Sequence, residues 1–411
     1  MEDLSKFRKD FPMLDGTKKM NGQPLIYLDN AATTFKPYPV INAVMNFYQN
    51  ETTNVERGDY ELSVKVSQQF EDVRKDLGQL LNCDPEEIVY TSGATGSLNL
   101  VAYGYGEKFL KPGDIILTTK EEHASDILPW FKVAKDTGAK VEYIPLDDQG
   151  RILPENLKQV MNDSVKIVAF TGVSNVLGHI TPVKELTEII HEYHAIAAVD
   201  GAQAVPHLKI DVKDWDCDFL SFSGHKMCGP SGIGVLYGKS ELLNQMDPYL
   251  LGGGSNARFN AQGELILRDV PFKFEAGTPP IEEVLGLGEA AKYLMSIGME
   301  NIQEYEFTLR NYLVTKLKQL DNIILYNPTA ETGIVTFNVK DVFPQDVASY
   351  LSHKGIAVRS GLHCAKILPD LLKVPGTVRA SLYFYNTFAE CDELVEALRG
   401  CNLQTSVDIF F

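Results

Sequence analysis

The chain has 411 residues, 44% hydrophobic and 23% charged, enough to bury a large core as two or three domains or as one large domain with a satellite. Lysine and arginine number 38 against 55 acidic residues, a net charge of −17 that repels phosphate backbones, and there is no local basic patch, so a nucleic-acid partner is not expected. No apolar run reaches the roughly 18 residues needed to span a bilayer, so no membrane association is expected either. The opening Met1-Glu2-Asp3-Leu4-Ser5-Lys6 has neither a signal-peptide core nor the Arg-rich look of a transit peptide. The six cysteines (Cys83, Cys217, Cys228, Cys364, Cys391 and Cys401) form no CxxC pair and no disulfide framework. A reducing cytoplasm is therefore expected, with any special cysteine there for reactivity.

In chain order, Val66, Phe70, Val73, Leu77 and Leu80 recur at three- and four-residue spacing and predict a helix. Strands are predicted at Glu87–Thr91, Asp114–Thr118, Val141–Pro145, Lys166–Thr171, Ala195–Val199, Phe219–Phe222 and Gly232–Tyr237. Their alternation with helical stretches predicts βαβ units and a mostly parallel sheet, an α/β fold. The continuously apolar Ala195–Val199 is what a strand covered on both faces needs. A helix is predicted from Ile281, with Gly286-x-Gly288 as a helix-packing feature, and another carrying Ile302, Tyr305, Leu309, Leu313 and Leu317 on one face. Strands at Gly333–Val339 and Thr377–Tyr385 and a helix around Asp392–Arg399 complete a smaller α+β unit. The expected division is an N-terminal segment over residues 1–24 packing with the small domain, a large domain over 25–284 and a small domain over 285–411. Thr405–Phe411 reads as a loose or docked tail.

The most informative stretch is Ser221-Phe222-Ser223-Gly224-His225-Lys226, at a strand end among small residues. A lysine enclosed there can have its pKa lowered and act as an amine nucleophile on a carbonyl, with Ser223 and His225 as phosphate donors. Taken alone, Lys226 reads better as a surface lysine in a turn. Asp200 ends an apolar strand, where a carboxylate can pair with a buried cation such as a pyridinium nitrogen, or can simply cap a helix. Gln203 can bond a ring hydroxyl or sit in that turn. Thr91-Ser92-Gly93-Ala94-Thr95-Gly96 opens a helix whose backbone N–H groups can cradle a phosphate, a weak pattern by itself. His123 can stack on an aromatic cofactor and move protons, although an isolated histidine is more often structural. Asn175 can contact a cofactor oxygen or a carboxylate, or shape a turn. In Arg359-Ser360-Gly361-Leu362-His363-Cys364-Ala365, Cys364 lies where a thiolate can form. Arg379 suits bidentate binding of a carboxylate, or stands solvated on an edge strand.

Together these segments resemble the type II cysteine desulfurases, the SUF-type (SufS-like) branch of class V, fold-type I pyridoxal-phosphate enzymes. The match runs from Tyr27-Leu28-Asp29-Asn30-Ala31-Ala32-Thr33 to Arg379-Ala380-Ser381 and Tyr385-Asn386-Thr387, and the pairing of Ser-Gly-His-Lys with Gly-x-His-Cys-Ala is its most specific part. The resemblance implies a large domain with a mostly parallel sheet, a smaller C-terminal domain, and pyridoxal 5'-phosphate bound by Lys226. Asp200 would hold the ring nitrogen, and Gln203 and His123 would contact the ring. Thr95, Gly96, Ser223 and His225 would serve the phosphate, with Thr278 reaching across from the second copy of a homodimer. Arg379 and Asn175 would bind the carboxylate of L-cysteine, and Cys364 would carry a persulfide as alanine leaves, supplying sulfur for iron–sulfur cluster assembly. The catalytic set implied is Cys364, Lys226 and His123, with no metal.

Some positions depart from the family. Val55-Glu56-Arg57-Gly58 replaces Val-His-Arg-Gly, Tyr60 stands for a histidine, and Gly96 for a glutamate. Gln345 occupies the place of a histidine in members that exchange a zinc ligand with their acceptor, which favours a thiol-only, SufE-like acceptor over a zinc-containing, SufU-like one. The same residues leave open a selenocysteine lyase, a cysteine-sulfinate desulfinase, or a weakly active paralogue that serves as a binding partner in sulfur transfer.

Overall fold

The computed structural model describes residues 3–56, 58–253, 257–365 and 371–409. All seven strands expected in the first two thirds fall into one sheet: β1 (Ile88–Thr91), β2 (Ile115–Thr118), β3 (Lys140–Tyr143), β4 (Val165–Thr171), β5 (Ile196–Asp200), β6 (Phe219–Ser223) and β7 (Gly234–Gly238). Their order across the sheet is β1-β7-β6-β5-β4-β2-β3. Only β7 runs against its neighbours β1 and β6, so the sheet is otherwise parallel.

Alternate residues of these strands enter two separate cores. Ile88, Leu117, Val168, Phe170, Val199 and Leu220 pack on one side. Val89, Ile116, Ile167, Ala169, Ala198 and Phe219 pack on the other with Trp130. A strand whose odd and even residues are both buried must be apolar throughout, which is why the sequence shows runs rather than alternation.

Helix α1 (Tyr38–Asn46) and helix α2 (Glu61–Leu81), whose buried stripe is Val66, Phe70, Val73, Leu77 and Leu80, flank the sheet. Helix α3 (Ala94–Val101) follows β1, and helix α4 (Ala124–Thr137) follows β2. Helix α5 (Ile281–Ile297) runs without a break through residue 285. A Cβ at Gly286 would meet Val44 of α1 at 2.9 Å, and one at Gly288 would meet Val73 of α2 at 2.6 Å, so both glycines serve helix packing. Since α5 packs with the preceding part, we propose that the change of unit falls at Gly298 (φ 93°) rather than at residue 285.

Helix α6 (Met299–Leu317) then begins a second unit with strands β8 (Ile323–Leu325), β9 (Ile334–Val339), β10 (Arg359–Gly361) and β11 (Thr377–Ser381) in the antiparallel order β8-β9-β11-β10. Helix α7 (Pro344–His353) and helix α8 (Phe388–Arg399) complete it. The strand expected to run to Tyr385 stops at Ser381, because its partner β9 starts at Ile334, opposite Ser381. Beyond it Tyr383, Phe384 and Tyr385 turn into an aromatic cluster. The N-terminal segment meets this cluster: Arg8 Nη1 donates to Tyr385 O at 2.7 Å, and the Phe11 ring lies 4.7 Å from that of Tyr385. In the expected tail, Leu403–Asp408 is a short helix, and Phe410 and Phe411 lie outside the described residues.

Candidate active site

The C-terminal ends of the parallel strands open onto one crevice, where α/β sheets bind ligands. Here it is a cavity of about 240 Å³ lined by Thr95, His123, Asn175, Asp200, Gln203, Ser223, His225, Lys226, Cys364 and Arg379, among others. Two of the residues expected at the site do not line it. Gly96 lies inside α3, where a Cβ would meet Ser92 Oγ at 2.8 Å, and Thr278 is an exposed residue before α5.

At one end, Gly93 (φ 138°) makes the turn that starts α3 and has no side chain of its own to cap the helix. Ser223 Oγ accepts from Ala94 N at 2.8 Å, which leaves its own proton for an acceptor in the cavity. Thr95 Oγ1 lies 2.8 Å from Ser125 Oγ. Burial and the neighbouring Lys226 hold His225 down to about 4, so it is a neutral donor at ordinary pH.

In the middle, Asp200 Oδ1 accepts from Ala202 N at 2.9 Å, fixing the carboxylate at the end of β5. Gln203 Nε2 donates to Ala31 O at 2.7 Å, while its buried Oε1 has no partner among the described residues. His123 precedes α4, and its Nδ1 accepts from Ser125 N at 3.1 Å, so the neutral ring carries its proton on Nε2. Burial lowers its pKa, and Lys226 adds to the effect. Lys226 itself is lowered, chiefly by burial, against the attraction of Asp200.

At the far end, Arg379 is 1% exposed. Its Nη1 donates to Asn175 O at 2.7 Å, its Nη2 pairs with Asp29 Oδ1 at 3.2 Å, and its Nε has no partner among the described residues. Cys364 is exposed, whereas burial pushes the thiols of Cys83 and Cys228 up to about 12 and that of Cys401 to about 11. Arg359 Nη2 lies 3.6 Å from Cys364 Sγ. Both His363 (φ 49°) and Cys364 (φ 60°) are left-handed, a conformation that side chains adopt only when held there. The hold is visible: Asn175 Nδ2 donates to His363 O at 2.9 Å, and Ala124 N, at the head of α4, donates to Cys364 O at 2.8 Å. His363 Nε2 bonds Thr377 Oγ1 at 2.9 Å.

Sequence reasoning assigns no role to Asp29, Ser125 or Thr171 and marks Arg359 only as a neighbour that favours a Cys364 thiolate, although all but Asp29 line the cavity. Asp29 lay in a quoted motif and Arg359 beside the cysteine loop. What brings them in is long-range pairing, such as the register that sets Arg359 opposite Arg379. Of the departures, Glu56 pairs with Arg268 at 2.8 Å, Tyr60 is exposed, and neither lines the cavity; Arg57 lies outside the described residues.

The sequence matches the class-V aminotransferase family over residues 26–394. A probable cysteine desulfurase of Halalkalibacterium halodurans is 45% identical over 394 residues, covering 96% of each chain. A cysteine desulfurase of Haloferax volcanii is 42% identical over 412 residues, again covering 96% of each. Among solved structures, the apo cysteine desulfurase of Thermococcus onnurineus superposes with a TM-score of 0.91 at 38% identity, covering 97% of this chain and 98% of that one. An Escherichia coli cysteine desulfurase, in an S-sulfonic acid form, gives 0.89 at 34% identity over 100% and 99%. Likeness that extends over both the strand-end crevice and the cysteine loop is a likeness of whole enzymes, and the chain belongs to the class-V aminotransferase family, among its cysteine desulfurases.

Proposed function

We propose that this chain uses pyridoxal 5'-phosphate to take sulfur from L-cysteine, releasing L-alanine and leaving a persulfide on Cys364. The observation that supports this reading best is the convergence of Lys226, Asp200, Arg379 and Cys364, from four separate stretches of chain, on one cavity. The open polar atoms fit the cofactor: the unpartnered Gln203 Oε1 suits a ring hydroxyl, and the Ser223 proton and the head of α3 suit a phosphate. Asp200 is the carboxylate that a protonated ring nitrogen needs.

When bound, the cofactor supplies an electron sink for the pair freed at the substrate α-carbon. Lys226 holds the cofactor at rest and moves protons once substrate has replaced it, a role suited to an amine whose pKa burial has lowered. Arg379 Nε is available to a substrate carboxylate, and Asn175 both positions Arg379 and holds the cysteine loop. The Cys364 thiolate attacks the substrate sulfur. As the S–S bond forms, the Cβ–S bond breaks, and its electron pair stays on carbon and is protonated to give the methyl group of alanine.

We further propose a homodimer to which Thr278 contributes across the interface, a cytoplasmic location, and sulfur supply for iron–sulfur cluster assembly. Exposed Gln345 lies beside Gly361 and exposed Leu362 stands two residues before Cys364, and we assign this face to a thiol-only, SufE-like acceptor.

Borohydride reduction of the holoenzyme followed by peptide mass spectrometry should place the cofactor on Lys226. Cys364→Ala should keep the cofactor's absorbance but lose alanine and sulfide production. Cofactor fixed to another lysine, or a persulfide found on Cys228, would overturn the reading.

A further inference from the structure

The carbonyl oxygen of His225, in the peptide that leads into Lys226, is met by four donors from a single segment. Thr34 N and Thr33 Oγ1 lie at 3.0 Å, Lys36 Nζ at 3.1 Å and Thr34 Oγ1 at 3.2 Å. Two lone pairs satisfy a carbonyl, so this one is contacted beyond its need. The same segment holds the far side of the lysine turn, since Cys228 N donates to Thr34 Oγ1 at 2.8 Å. Gly224 N and Met227 N complete the turn through Ile233 O and Gly224 O.

Lys36 is the unusual member. It is half-buried, does not line the cavity, and among the described residues pairs with no carboxylate. Its ammonium donates instead to Thr34 O, His225 O and Thr33 Oγ1. A cation withdrawn from water and given only neutral oxygens is costly to keep, and burial pulls its pKa down to about 8. A neutral side chain would fill the same space at less cost, so the charge calls for a role.

That role follows from the motion asked of Lys226. Its amine must be joined to the cofactor in one stage and free to carry protons in the next. Such swinging is productive only if the main chain from which the side chain hangs stays still. We propose that Lys36, with Thr33 and Thr34, is a positioning device for Lys226, its ammonium pinning the His225 carbonyl so that the catalytic amine pivots on a fixed backbone. This rests on the reading of Lys226 as the cofactor-bearing lysine.

The test compares wild-type, Lys36→Met, Lys36→Arg and Thr33→Val holoenzymes. Loss of one charge-assisted hydrogen bond should lower kcat on L-cysteine about tenfold in Lys36→Met, with KM within roughly twofold. Lys36→Arg should recover part of that loss, and Thr33→Val, which removes a neutral donor, should lose less. Cofactor content and thermal melting of each variant separate positioning from folding. Unchanged kcat in Lys36→Met overturns the proposal, as does equal loss of cofactor and of melting temperature in Lys36→Met and Lys36→Arg. Borohydride labelling of wild-type enzyme away from Lys226 would instead bring down the reading of the site, so the two failures are distinguishable.

Discussion

Three carboxyl groups, Glu121, Glu122 and Asp126, lie at 2%, 1% and 0% exposure around His123. Glu122 Oε1 accepts from Thr119 Oγ1 at 2.8 Å, the Glu122 and Asp126 carboxyls hydrogen-bond each other, which requires a proton on one of them, and Trp130 and Ser174 approach Asp126 and Glu121 respectively. Burial pushes Glu121 and Glu122 up to about 8, and burial with the neighbouring Glu122 raises Asp126 well above the carboxylate range. Folded protein therefore keeps protons that the unfolded chain, with ordinary values of 4.5 and 3.8, has already lost. Their stabilisation is complete at pH values below the unfolded range and is lost as pH rises through about 8. Urea unfolding should show stability falling between pH 5 and 8, and Asp126→Asn should make that fall shallower by about one proton. The same slope in both proteins would mean that Asp126 is already ionised in the fold.

In the proposed function, sulfur transfer depends on Cys364, in the segment that leaves β10. Two successive left-handed residues cost of order 1 kcal/mol each, and what holds them is the set of ties from Asn175, Ala124 and Thr377. Asn175→Ala removes one tie and the Nδ2 donor while leaving the Asn175 carbonyl to Arg379. Hydrogen exchange at residues 361–365 should quicken, and sulfide production should fall about tenfold with cofactor content unchanged. Unaltered exchange would show that the loop does not need Asn175. The sheet could be read from sequence because burial on both faces makes each strand apolar from end to end. The lysine, aspartate and cysteine stretches could be read because small residues and strand ends mark them. Other features could not, because partners far away in the chain define them. Glu121-Glu122 looks like a solvated pair until α4 and β5 close over it, and Lys36 looks like a surface lysine until the His225 carbonyl arrives. Thr377–Tyr385 looks like one strand because nothing local shows where β9 stops pairing.

At the scale of the whole molecule, charge is distributed unevenly. The chain carries −17 overall, yet the second sheet sets Arg359 directly across from Arg379, two like charges on one ladder that both line the cavity. Asp29 bonds Arg379 and is attracted to Arg359 as well, but among the described residues no carboxylate forms a salt bridge with Arg359. Beyond a Debye length of about 8 to 10 Å an approaching ligand senses chiefly the acidic exterior, and the guanidinium pair acts only once it is inside that distance. L-cysteine, a zwitterion with no net charge, is neither repelled nor drawn in from afar. Cysteine sulfinate carries one more negative charge and must cross a repulsive field first. Raising ionic strength should therefore leave kcat/KM for L-cysteine nearly level and increase it for the sulfinate. A decrease for the sulfinate would mean that the arginines govern its approach. On this argument the acidic exterior would sort ligands by net charge before any side chain touches them, and selectivity between L-cysteine and the sulfinate should then shift with the salt around the protein.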